Sequence, residues 1–145
     1  MMADPKMIMQ KAGVVLNDEK KWSKKSSPFA QFGVLVTEEQ HASAIKMGDV
    51  AFKNMKGEKV ARAYVRCMQA NCHIKLEEYA KALEKAAQAT VEDPKLAYAW
   101  LKHSTTQATL RQYDGGIANL EKAIAMGLHP PLEKRAHSLL DGVRN

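Results

Sequence analysis

CHIKLEEYAKALEKAAQATVEDP, residues 72–94, decides how this chain is read. Its small residues Ala82 and Ala89 fall seven apart, two helical turns, on one face of a helix that follows Tyr79. The same types return one period later. Tyr79 recurs as Tyr113 (113 − 79 = 34), Leu76 as Leu110, Ala82 as Gly116 and Ala89 as Ala123. Upstream, Ala70 recurs as Ser104. A fixed spacing of 34 residues marks a supersecondary unit that buries its apolar face against its neighbours.

Working outward, the pattern predicts helices over 58–76 and 78–91, then a fourth from Asp93-Pro94 to Arg111, with the aspartate as cap and the proline in the first turn. A fifth runs from Asp114 to Gly127, and His129-Pro130-Pro131 separates it from a closing helix over 132–143. Upstream, Thr37-Glu38-Glu39-Gln40 reads as a capping box that opens a helix ending near Met55 and Gly57. Residues 1–36 carry no sustained helical period. Ser26-Ser27-Pro28 reads as a breaker, and Phe29, Phe32, Val34 and Val36 as an extended apolar strip. No segment alternates long enough to make a strand. The expected fold is all-α: a short α-solenoid of antiparallel helix pairs.

Here the chain resembles the tetratricopeptide repeat (TPR) family, in which small residues stand where two helices cross and a proline closes the unit. Residues 63–96 match with Ala70, Tyr79, Ala82, Ala89 and Pro94, and residues 97–130 with Trp100, Ser104, Tyr113, Gly116, Leu120 and Ala123. The second unit departs at its end, where Leu128 stands in place of the proline and Pro130 follows two residues late. The resemblance implies that Tyr79 and Tyr113 fill the space near the turn within each pair. Lys46–Lys53 (KMGDVAFK) resembles the opening of a first repeat, yet Gly48 lies 34 residues before Ala82 (82 − 48 = 34). In that register the helix of residues 37–57 is the second helix of a pair, a degenerate half-repeat.

The resemblance implies a concave groove lined by the first helix of each pair. Tyr64, Cys67, Asn71, Ile74 and Lys75 would line it from one repeat, and Tyr98, Leu101, Lys102, Thr105 and Thr109 from the next. The lysines suit acidic groups, Asn71 a peptide backbone, and the tyrosines either a partner or the contact between repeats. One subgroup of the family clamps the C-terminal carboxylate of heat-shock chaperones. Its clamp positions would fall here on Ile45, Asp49, Met68, Tyr98 and Lys102, of which only Lys102 is cationic and Asp49 opposes a carboxylate.

Charge adds one feature. The net charge is +6, and residues 1–35 contribute six lysines against Asp4, Asp18 and Glu19. Residues 1–36 are therefore expected to be a basic, partly disordered N-terminal arm. Its lysines suit an acidic partner, and the competing reading is a solvated leader. Aromatics make up only 6 % of the chain, which argues against nucleic acid as the partner. Early acidic residues and the absence of arginine before Arg62 fit neither a secretory nor a mitochondrial leader, and no apolar run spans a bilayer. A cytoplasmic location is expected.

Chemistry-bearing constellations are lacking. Cys67 and Cys72 stand about 140° apart around a helix, unsuited to a disulfide or a paired zinc site. The five histidines never form His-x-x-x-His, and Gly115-Gly116 lacks the strand and lysine of a phosphate loop. No metal, no cofactor and no enzymatic activity are expected. The chain reads as a protein-interaction scaffold or adaptor holding a peptide or helix of another protein, in a larger assembly. The competing reading is a co-chaperone that meets heat-shock chaperones through a non-standard contact.

Overall fold

A computed structural model describes residues 27–144, with side chains through residue 142; the lysine-rich segment 1–26 lies outside the described residues. Seven α-helices and no strand occur among the described residues: α1 Pro28–Thr37, α2 His41–Asn54, α3 Lys59–Lys75, α4 Tyr79–Glu92, α5 Ala97–Thr109, α6 Tyr113–Met126 and α7 Pro130–Arg144. Each helix packs on the next, and α3 also touches α5. None of them is long and apolar enough to cross a membrane.

Residues 28–37 form a helix instead of the expected extended strip. Ser27 is its N-cap and accepts from Ala30 N–H at 3.1 Å, while Pro28 takes the first turn, where its missing N–H costs nothing. Phe29 and Phe32 then fall on one buried face. The proline starts a helix here and breaks nothing. As a result α2 has a packing partner before it in the chain, and the expected arm ends earlier than residue 36.

Thr37 is likewise no N-cap. It ends α1, and its hydroxyl donates to Gly33 O at 2.9 Å. The turn that follows recurs twice. Glu39, Glu77 and Arg111 each adopt a left-handed backbone, with φ of 57°, 59° and 62°. The next residue donates back five positions: Gln40 N–H to Leu35 O (3.0 Å), Glu78 to His73 O (2.8 Å) and Gln112 to Gln107 O (2.8 Å). Each left-handed residue donates in turn to a carbonyl three positions back. This is a Schellman closure built without glycine, and it joins α1 to α2, α3 to α4 and α5 to α6.

Two further expectations shift. Helix α5 starts at Ala97, because Asp93 to Leu96 close a β-turn (Leu96 N–H to Asp93 O, 3.1 Å) with Pro94 at its second position. Helix α7 begins at Pro130, two residues early, with both prolines inside its first turn. Tyr79 and Tyr113 do not fill a turn: they stand 36 % and 47 % exposed.

The core divides into two clusters that share α3. Phe29, Phe32, Leu35, Ala44, Ala51, Val65 and Cys72 form one. Tyr64, Cys67, Ala89, Leu101, Leu120, Leu128 and Leu140 belong to the other, and Met68 packs against both. Small residues set the helix spacing: Ala63, Ala70, Ala82, Ala86, Ala89 and Ala123 are wholly buried, and a Cβ at Gly116 would come within 3.3 Å of Ser104 O.

Candidate functional site

A helical period places Tyr64, Met68, Asn71 and Lys75 along one face of α3, and Tyr98, Lys102, Thr105 and Thr109 along one face of α5. The two faces meet at Tyr64 and Tyr98, whose rings stack with centroids 5.2 Å apart and planes inclined by 17°. Tyr64 is almost wholly buried and Tyr98 half-buried, so Tyr64 ties α3 to α5 while Tyr98 keeps an open surface.

Lys102 lies over Tyr98, its Nζ 5.7 Å from the ring centroid. Burial pushes its ammonium below the usual lysine range; Cys67 acts in the opposite direction, and Arg135 on α7 adds a like charge that reinforces the fall. Among the described residues no carboxylate forms an ion pair with it. A half-buried cation near a second cation, above an aromatic face, leaves a local excess of positive charge that an approaching anion would lower.

The remaining expected residues separate into outward and inward sets. Asn71 is half-buried, and its amide makes a long contact to Met68 Sδ at 3.9 Å. Lys75 is exposed at the end of α3. The Thr105 and Thr109 hydroxyls donate within α5, to Lys102 O (3.0 Å) and Thr105 O (2.9 Å). Leu101 and Cys67 point into the core, and Ile74 is half-buried. Burial raises the Cys67 thiol to about 12 and the Cys72 thiol to about 11, which makes both poor nucleophiles.

The clamp positions are spread over three helices, α2, α3 and α5. Ile45 and Asp49 belong to α2, and the Asp49 carboxylate is engaged by Arg66 (2.9 Å), Gln69 (3.1 Å) and Lys85 (3.3 Å). Arg135 went unrecognised in the sequence, because only the docking of α7 brings it near Lys102. No protein-family model matches the chain, and no curated protein matches it.

Proposed function

We propose that this chain is a non-catalytic adaptor, a short TPR-like α-solenoid that takes a peptide or helix of another protein along the joined faces of α3 and α5. It would work in the cytoplasm as part of a larger assembly, without cofactor. The carrying observation is Lys102, half-buried above Tyr98 with no carboxylate among the described residues to neutralise it. A half-buried charge without a counterion lowers stability, and an anionic group that arrives with a partner would offset that loss. Asn71 and exposed Lys75 extend the same surface toward the far end of α3.

The test is affinity capture with the wild type beside a Tyr98→Ala/Lys102→Glu variant, after circular dichroism has established that the variant folds. Selective loss of a bound protein from the variant supports the reading. An unchanged set of bound proteins overturns it.

A further inference from the structure

We propose that the side of α1 turned away from α2 is an interface within the chain, covered by residues 5–18 as a further helix. Six residues of α1 are buried: Phe29, Ala30, Phe32, Gly33, Val34 and Leu35. At about 100° per residue these six ring the helix, leaving no gap wider than one such step. Helix α2 differs, since its buried Ala44, Gly48 and Ala51 fall within about 60° of arc. A helix that is apolar and buried on every side needs cover on more than one side. Among the described residues α1 packs on α2 and on no other helix to a comparable extent, and Val34, 5 % exposed, joins neither core cluster.

The order of the helices identifies the kind of cover. One glycine-free turn joins α1 to α2, α3 to α4 and α5 to α6, so α1, α3 and α5 hold equivalent places. Helix α3 packs on α2 before it as well as on α4 after it, and α5 packs on α4 as well as on α6. For α1 the corresponding predecessor belongs to residues 1–26.

Helices α2, α4 and α6 share a signature. Each has 14 residues and buries its fourth, eighth and eleventh: Ala44, Gly48 and Ala51; Ala82, Ala86 and Ala89; Gly116, Leu120 and Ala123. Gly48 thereby stands level with Ala86, one helical turn beyond the expected register. The sequence of residues 5–18 carries the same signature. Asp4 suits an N-cap and Pro5 a first turn, and counting from Pro5 puts Ile8, Ala12 and Val15 in the fourth, eighth and eleventh places. All three are apolar and share one helical face, with Gln10 and Asn17 opposite. Three such positions are too few to register as a sustained period. Residues 19–27 can span up to about 30 Å, enough to return the chain to the start of α1.

The test is methyl NMR of the full chain. The expected result is nuclear Overhauser contacts from the Val34 methyls to at least one of Ile8, Ala12 and Val15, within one chain and not between chains of a mixed-label sample. Val15→Asp should lower the thermal midpoint by roughly 5–10 °C, as a charge forced into an apolar interface does, and should shift the Val34 methyl resonances. Asn17→Asp, on the opposite face, should leave both in place. Tyr98→Ala/Lys102→Glu should keep the contacts, which separates this interface from the α3–α5 surface. Contacts found only between chains would assign the cover to a second copy and overturn the proposal. Val34 methyls with no contact to residues 5–18 would overturn it, as would equal effects of Val15→Asp and Asn17→Asp.

Discussion

Gly48 and Gln69 compete for one volume. A Cβ at Gly48 would lie 2.6 Å from Gln69 Nε2, and Gln69 is wholly buried, its amide donating to Ile45 O at 2.8 Å and to Asp49 Oδ1 at 3.1 Å. The missing side chain of the glycine is therefore what lets α2 approach α3 with a polar group between them. Gly48→Ala should lower stability by about 1–3 kcal/mol, because the displaced amide leaves buried partners unmatched. Thermal melts of Gly48→Ala, Gln69→Ala and the double variant should show the penalty of the alanine shrinking once Gln69 is gone. Equal penalties in both backgrounds would refute the conflict.

Asp49 carries the acid sensitivity of the same junction. Burial works to raise its carboxyl, but hydrogen bonds from Gln69, Arg66 and Lys85, together with the Lys85 charge, outweigh it and hold it below its ordinary value of 3.8. A depressed carboxyl stabilises the fold above its unfolded value, and that contribution disappears as pH falls through the folded one. Asp49→Asn should be less stable than wild type at neutral pH, with the two converging below about pH 3. Denaturant melts across that range check it; a constant gap would locate the acid response elsewhere.

For Lys102 the sign is reversed. Its depressed ammonium means the folded state is penalised whenever the group is charged, so stability should rise as alkaline pH deprotonates it. Lys102→Met should flatten that rise and raise stability at neutral pH by about 1 kcal/mol. It should also lose the partner captured by the wild type. A variant both less stable and still bound would show that the lysine serves packing.

The left-handed residue in each turn offers a gain. Glu77 has φ 59° and is exposed, a conformation that penalises any residue with a Cβ by roughly 1 kcal/mol. Glu77→Gly should raise the thermal midpoint by a few degrees. Unchanged or lower melting would mean that the added freedom of the unfolded chain cancels the relief.

How far the sequence could be read follows from where each signal resides. The helices from 59 to 126 were legible because their period and small residues are local and repeated. Pro28 misled because a proline breaks a helix from within yet opens one from its first turn, and only the burial of Phe29 and Phe32 decides between these. The three turns carry Glu, Glu and Arg where glycine would have announced them. At the candidate site, Tyr98 and Lys102 follow from their spacing, but the proximity of Arg135 depends on the docking of α7, which no local pattern specifies.

The two thiols of α3 report on different neighbourhoods. Cys67 belongs to the cluster shared with α5, α6 and α7, and Cys72 to the one shared with α1 and α2. Each can be alkylated only when its own surroundings come apart, since both are buried and held protonated. Labelling rates at the two sulfurs would thus time the opening of either end of the chain against the other, with no probe introduced. A difference between them would show α3 to be a seam along which the two halves loosen separately; matched rates would make it a keel, lost only when everything unfolds together.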